Sequence, residues 1–391
     1  MRKIFYALLI SLSFYSVYAQ NTERIITTGV PFLLVNPDAR AGGMGDQGVA
    51  TSPDAYSQYW NPAKYPFATA TSGVSVSYTP YLTALVNDLN LSQVTYFQKL
   101  DDRSSFSGGL RYFNLGEIEF RKTADDPAII RKPNELALEG AYALKWSNQF
   151  AMSVTGRYIR SNLRVPETDA DASAANAFAV DIAGFYESKE FALSGFIGKY
   201  RAGFNIQNIG PKIKYNADGV ENFLPTNLKA GAGFDFILDQ YNTISISGEI
   251  NKLMVPTPQS VTDLNGDGVI DTQDSQINSN NYNSIGWSSG MFKSFNDAPN
   301  GFKEELREII WSLGAEYWYQ ESFALRAGYY HESQMKGFRK FYTIGAGFKY
   351  NVFNIDLSYI FSTSNIPNPL EGTLRFSLTF NFGEKVKKSE E

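Results

Sequence analysis

Leu374-Arg375-Phe376-Ser377-Leu378-Thr379-Phe380-Asn381-Phe382 decides the fold. Every second residue is apolar, with Arg375, Ser377, Thr379 and Asn381 set between. Side chains alternate between the two faces of a strand, so this stretch is a strand with one apolar and one polar face. The segment before it repeats the pattern, Phe353, Ile355, Leu357, Tyr359 and Phe361 against Asn354, Asp356 and Ser358. Upstream, Leu228, Ala230, Ala232, Phe234, Phe236 and Leu238 alternate with Lys229, Gly231, Gly233 and Asp235. In a soluble sandwich the charged face lies outside. In an outer-membrane barrel this inverts, and the apolar face meets lipid.

Strand number, strand length and connection length choose the barrel. From Ser72 onward, alternation predicts strands near 72–79, 92–100, 103–113, 134–147, 148–162, 174–188, 198–209, 226–238, 241–254, 305–320, 321–332, 339–350, 352–364 and 371–382. That is an even number, as in bacterial single-chain barrels, and many are long enough to cross a bilayer at a tilt. Tight turns (Asp101-Asp102, Trp146 to Gln149, Asp239-Gln240, Gln320-Glu321, Tyr350-Asn351) alternate with longer pieces at 114–133, 161–173, 210–225, 255–304 and 333–338. The segment 189–197 is long for a tight turn. Short periplasmic turns facing long external loops would give this alternation and put both termini in the periplasm. The expectation is an all-β protein: a fourteen-stranded antiparallel transmembrane barrel over 72–382, with a solvated tail at 383–391 carrying Lys385, Lys387 and Lys388.

Composition agrees. The 391 residues include 29 Phe, 24 Tyr, 5 Trp and 32 Gly, yet only 43% are hydrophobic, too few for a bundle of membrane helices. There is no Cys, so thiol chemistry, disulfides and a lipid-modified N-terminal cysteine are excluded. With 35 Lys and Arg against 40 Asp and Glu, the chain is acidic, and nucleic acid is not an expected partner. Tyr317, Trp318, Tyr319, Tyr329 and Tyr330 read as interfacial girdle positions. Inward Glu139, Arg157, Arg201, Lys229, Asp235, Glu249, Glu316, Arg326, Lys349, Asp356 and Arg375 make a lumen of mixed charge. Either a conduit lining or mutual pairing inside a plugged barrel fits them, and the mixed signs favour pairing, since selective pores use rings of one sign.

The N-terminus reads as an address. Arg2 and Lys3 precede an apolar stretch to Val17, and Val17-Tyr18-Ala19 suits signal peptidase, which would cut after Ala19. Residues 20–71 do not alternate. Ser52 before Pro53 predicts a helix start, with the helix running to about Tyr59 and ending before Asn61-Pro62. Phe32, Leu33, Leu34, Tyr59 and Trp60 look buried, so 20–71 suits a plug inside the barrel.

The segments Ala39-Arg40-Ala41-Gly42-Gly43-Met44-Gly45, Ser52-Pro53-Asp54-Ala55 and Tyr59-Trp60-Asn61-Pro62-Ala63 resemble the N-terminal hatch of fatty-acid-transporter-like (FadL-like) barrels. With the strand count and the long Asp/Asn-rich loop before strand ten, the chain more closely resembles the PorV family, an outer-membrane component of the type IX secretion system. That resemblance implies a non-enzymatic protein binding cargo that carries a C-terminal secretion signal. It would receive the cargo at a giant translocon barrel and carry it to a sortase-containing surface complex, which attaches it to lipopolysaccharide. A FadL-like transporter of small hydrophobic molecules is the alternative.

The longest loop holds one sharp motif. Asp263-Leu264-Asn265-Gly266-Asp267-Gly268-Val269-Ile270-Asp271-Thr272-Gln273-Asp274 has the spacing of a calcium-binding loop. Side-chain oxygens come from Asp263, Asn265, Asp267, Asp271 and Asp274, and Val269 offers its carbonyl. Gly268 stands where the chain turns sharply, and Ile270 would pack inward. Asp274 replaces the usual bidentate Glu, and no flanking helices are expected. Ca²⁺ would order the loop for docking of cargo or a partner. The single histidine, His331, near the outer end of strand eleven beside Glu332 and Ser333, has no nucleophile expected within reach, and no catalytic residue is assigned.

Overall fold

The computed structural model describes residues 25–82, 86, 88–121, 123, 126–163, 174–215, 219–363 and 371–383. The expected signal peptide at 1–19 and the lysines of the tail lie outside these residues. Fourteen long strands close into one antiparallel ring. They are β1 (Ser72–Pro80), β2 (Leu89–Lys99), β3 (Ser104–Leu115), β4 (Asn134–Lys145), β5 (Phe150–Asn162), β6 (Ala175–Glu187) and β7 (Phe196–Ile209). The others are β8 (Asn227–Ile237), β9 (Asn242–Leu253), β10 (Ile309–Tyr319), β11 (Phe323–His331), β12 (Lys340–Tyr350), β13 (Phe353–Ser362) and β14 (Leu374–Phe382). β14 returns to β1 with Val76 opposite Leu378, which closes the ring. Closure pairs the backbone groups that an open edge would leave bare in hydrocarbon.

The faces are inverted as the alternation predicts. Val94, Leu138, Val154, Ile246 and Leu313 are apolar and exposed, while Thr95, Glu139, Thr155, Ser247 and Ser312, their sequence neighbours, are buried. A surface this apolar around a buried polar interior is stable only in lipid. Tight turns gather at the end that carries the termini. The awkward segment 189–197 is a small hairpin in which Phe191–Leu193 pairs with the start of β7. A register shift between Ile206 and Ile209 puts a bulge in β7, where Asn208 takes a positive φ of 60°.

Two girdle assignments are corrected. Neighbours on a strand face opposite ways, so Tyr317 and Tyr319 cannot share a face with Trp318. Trp318 lines the lumen at the terminal end, and Tyr330 is buried in the lumen at the other end, stacked on Phe341.

The helix expected at Ser52-Pro53 also begins later. Its single turn, α2, is Ser57–Trp60, after α1 at Ala39–Gly42, also four residues. Ser52 instead accepts a hydrogen bond from Arg40, and Pro53 stays outside the helix. Asn61 ends α2 as expected, then caps the 3₁₀ turn Pro62–Phe67 by accepting from the Ala63 N–H.

Candidate functional site: a plugged lumen and a clasped loop

The Gly-rich run explains itself once placed against the wall. Gly45 takes a positive φ of 77°, and it and Gly43 approach wall glycines closely. A Cβ on Gly328 would sit 2.1 Å from the Gly45 nitrogen, and one on Gly345 would sit 2.9 Å from the Gly43 Cα. Glycine meets glycine because no side chain fits between hatch backbone and strand.

Polar lumen residues satisfy the hatch backbone. Ser377 Oγ accepts from Ala39 N–H at 2.8 Å, and Thr343 Oγ1 accepts from Gly45 N–H at 2.9 Å. Glu249 accepts from both Gly48 and Val49 N–H, at 2.8 and 2.9 Å. In return Asn205 donates to the Trp60 carbonyl and Thr95 to that of Ala55. A buried backbone group without a partner is costly, so these strands bind the hatch much as a sheet binds its neighbour.

Charge completes the lock. Arg40 grips Glu316 bidentately at 3.0 and 2.7 Å and also reaches Asp54. Arg326 bridges Glu316 and Asp356 at 2.6 and 2.7 Å. Arg375 holds Asp46, Arg157 joins Glu139 to Asp181, and Arg201 pairs with Asp235. Ten of the eleven expected inward residues are buried as read, and Lys349 lines the lower lumen. Sequence reading missed Arg111 and Asp181, and missed that Arg40, Asp46 and Asp54 bring the hatch into the network.

The hatch leaves two cavities with no shared lining residue. One, of about 320 Å³, opens toward the terminal end beneath Arg40, Ser52 and Asp54. The other, of about 280 Å³, lies above Trp60 at the opposite end. Its walls mix Leu34, Leu253, Ile310 and Tyr330 with Lys229, Glu332 and Arg339. Phe32, Leu33, Tyr59 and Trp60 are buried as expected, whereas Leu34 is half-buried at this cavity. Lys229 lies over the Trp60 ring at 4.1 Å, and among the described residues no carboxylate pairs with it.

At the same end, residues 254–308 form an ordered cap. It contains α3 (Thr272–Ser284), α4 (Trp287–Lys293) and α5 (Phe302–Arg307), so the expectation of no flanking helices is corrected, and the tenth strand begins at Ile309 instead of 305. α3 starts with a capping box in which Asp271 and Asp274 each accept from the other's backbone. A cluster of buried charges clasps the cap to the rim. Lys252 donates to Glu305 and Glu308 at 3.1 and 2.7 Å, and Thr257 also donates to Glu308. Lys336, from the next loop, binds Glu304 and Glu308. Burial pushes the Glu308 carboxyl up, but hydrogen bonds from Lys252, Thr257 and Lys336 outweigh it and hold the group below its ordinary range. Burial lifts Asp297 to about 6.

The calcium-type loop stands at the far edge of the cap. Asp263, Asn265, Asp267, Val269 and Asp271 are exposed and Asp274 is buried. Ile270 is exposed rather than packed inward. Gly266 and Gly268 have φ of 78° and 86°, the turn that the spacing predicts. The oxygens bind the loop's own backbone: Asp263 accepts from Gly266 and Gly268 N–H, and Asp274 from Leu264, Asn265 and Asp271 N–H. Against the raising effect of burial, these three donors hold the Asp274 carboxyl below the usual carboxylate range. Among the described residues, no three acidic, His or Cys side chains converge as a metal cage. His331 faces outward, stacked on Trp311 at 4.9 Å between ring centroids, with the Tyr329 hydroxyl 3.3 Å from its Nδ1.

Residues 18–260 match the family described as "Type IX secretion system protein PorV", well over half of the chain. The chain belongs to the PorV family. This PorV-family barrel also resembles solved FadL-like structures. It is similar to the TodX monoaromatic hydrocarbon channel in a deltaS2 mutant form, at 11% identity over 88% of this chain and 99% of that one, with a TM-score of 0.50. The Ralstonia pickettii toluene transporter TbuX is similar at 10% identity over 88% and 98%, with a TM-score of 0.47. A Pseudomonas aeruginosa FadL homologue is similar at 10% identity over 92% and 99%, with a TM-score of 0.43. At such identities the likeness is one of fold. No curated protein matches the chain. The PorV-family chain is thus an outer-membrane β-barrel of the type IX secretion system family.

Proposed function

We propose that this barrel is the cargo carrier of a type IX secretion system. It binds cargo bearing a C-terminal secretion signal as the cargo leaves a giant translocon barrel, and delivers it to the sortase-containing complex that joins it to lipopolysaccharide. The observation that carries this reading is the PorV-family match over residues 18–260. The architecture supports it: a lumen packed with paired charge suits a docking hub better than an open pore, and the helical cap offers a rigid surface for a protein. Termini and tight turns then face the periplasm, and the 254–308 cap faces the cell exterior. Deleting the gene tests the proposal. Proteins with the C-terminal signal should accumulate inside the cell, and the full chain should restore their export. Unimpaired export in the deletion strain would refute it.

The half-apolar cavity above Trp60 favours one second reading, a carrier of small hydrophobic molecules. That reading requires the deletion strain to export normally and to lose uptake of such compounds.

The loop 263–274 is proposed to bind Ca²⁺. Its all-oxygen donor set suits a hard cation, and its two positive-φ glycines fit the required turn. Asp263, Asn265, Asp267, Asp271 and Asp274 would hold the ion with the Val269 carbonyl. Binding must draw carboxylates from their backbone partners, so the affinity is expected to be weak, on the order of 10⁻⁴ M as in extracellular modules.

A further inference from the structure

The cap does more than cover the lumen. On β9, Ile244, Ile246 and Ile250 face outward, and Lys252 continues that row. As the last outward residue before the rim it should be open, yet it is only 8% exposed. Glu305 and Glu308 bind its ammonium and the Phe295 ring lies 5.7 Å from it. The cap therefore covers the end of this outward row at the β9–β10 rim, while Glu308 and Lys336 of the same clasp line the lumen cavity. Lys252 stands opposite Ile309, and one outward pair below them Ile250 stands opposite Trp311, both exposed and apolar.

Beyond this covered rim the cap presents apolar side chains outward. Phe292 and Phe302 are each 75% exposed, and Phe295, Leu306 and Trp287 are exposed as well. Charge is sorted across the same segment. Its carboxylates Glu304, Glu305 and Glu308 are buried in the clasp and Asp297 is half-buried, whereas Lys293 and Lys303 are exposed and Arg307 is partly so. Aromatic and leucine side chains beside lysine and arginine, at the edge of a lipid belt, are the chemistry of an interfacial helix on anionic headgroups.

We propose that α4 and α5 form a lipid-docking foot. They lie on the bilayer surface beside β9–β10, with Phe292, Phe302 and Leu306 in the acyl boundary and Lys293 and Lys303 against headgroup phosphates. The clasp, by folding the carboxylates inward, keeps the foot free of negative charge. This assignment does not depend on the secretion reading, because it rests on the barrel, the covered rim and the sorted charges.

The chain has no cysteine, so single variants take an environment-sensitive fluorophore cleanly. Phe292→Cys, Phe302→Cys, Leu313→Cys in the lipid belt and Asn280→Cys on α3 would be labelled in the full-length barrel. Each is refolded into phosphatidylcholine vesicles with a minor share of phosphatidylglycerol, and only variants with the parent's heat-modifiable gel shift are compared. Spin-labelled lipid with its probe near the headgroup should quench positions 292 and 302 severalfold more than 280, and a deep probe should quench 313 most. In vesicles lacking phosphatidylglycerol, or with Lys293→Gln and Lys303→Gln added, the quenching at 292 and 302 should fall. Positions 292 and 302 quenched like 280, and open to aqueous iodide, would overturn the proposal. Protection from iodide without lipid quenching would also overturn it, and would assign the face to a protein.

Discussion

The hatch and the cap both sit on buried lysine or arginine paired with carboxylates, but the pairs do different jobs. In the hatch, Arg40, Arg326 and Arg375 neutralise charge between a plug and the wall around it, with strand side chains serving the plug's backbone. In the cap, Lys252 and Lys336 gather three carboxylates at one rim and leave aromatic residues facing out. The first arrangement closes an interior. The second holds a surface in position.

Removing charge from the plug should have the largest effect. Arg40→Met leaves Glu316 buried beside Arg326 alone and Asp54 without its partner, at a cost of about 3–5 kcal/mol for breaking a buried pair. The denaturant midpoint of the refolded barrel should drop, and ionic current absent from the parent should appear in planar bilayers. An unchanged midpoint with no current would mean that charge does not hold the hatch. Gly328→Val tests the glycine contact alone. Its Cβ would meet the Gly45 nitrogen, and overpacking of this kind costs about 1–3 kcal/mol. Current should appear here too, with the cap unaffected.

The cap should separate from the plug in the converse test. Lys336→Met takes the ammonium from Glu304 and leaves Glu308 with Lys252 and Thr257 only, a local cost of about 1–3 kcal/mol, and protease nicking within 254–308 should quicken without any current. Acid should mimic it. Glu308 has a depressed folded-state pKa, so its contribution is present above its ordinary value of 4.5 and is lost as pH falls below that. Asp297 runs the other way: raised to about 6, it favours the packed cap below 3.8 and loses that contribution as pH rises through about 6. Nicking should therefore be slowest near pH 4–5, quickening below about 4 as Glu308 protonates and also as pH rises through about 6. A flat profile would remove the clasp from the account.

Calcium should give the smallest change. At about 1 mM ion and a Kd near 10⁻⁴ M, linkage gives about 1.4 kcal/mol. It should appear as slower nicking of the cap, absent in Asp267→Ala. Equal behaviour of parent and variant, with and without chelator, would dismiss the site.

Much of the barrel could be read from the chain because period two is a local signal. Leu374 to Phe382 carries its own face assignment, and a strand buried on one side repeats it at every residue. The inward charges followed from the same parity. Their partners did not, because Arg40 and Glu316 are far apart in sequence and no local pattern joins them. Trp318 and Tyr330 were misread as belt residues from their type, where parity already placed them inside. The cap helices are obscured by their own composition: Asp271 and Asp274 fit both a calcium loop and a helix capping box, and α3 is polar apart from Ile277 and Tyr282, with no apolar stripe to betray it. The clasp residues Glu304, Glu305 and Glu308 stand at helical spacing, but alternation carried on from β10 reads them as the edge of loop and strand.

The most direct test of the carrier role is cross-linking in living cells, followed by mass spectrometry of everything joined to a tagged full-length chain. Covalent capture before extraction keeps transient complexes. The account predicts a giant translocon barrel, a sortase-like protein and secreted proteins sharing a C-terminal domain, with cross-links on the 254–308 side. Capture of none of these, from cells actively secreting such proteins, would contradict it.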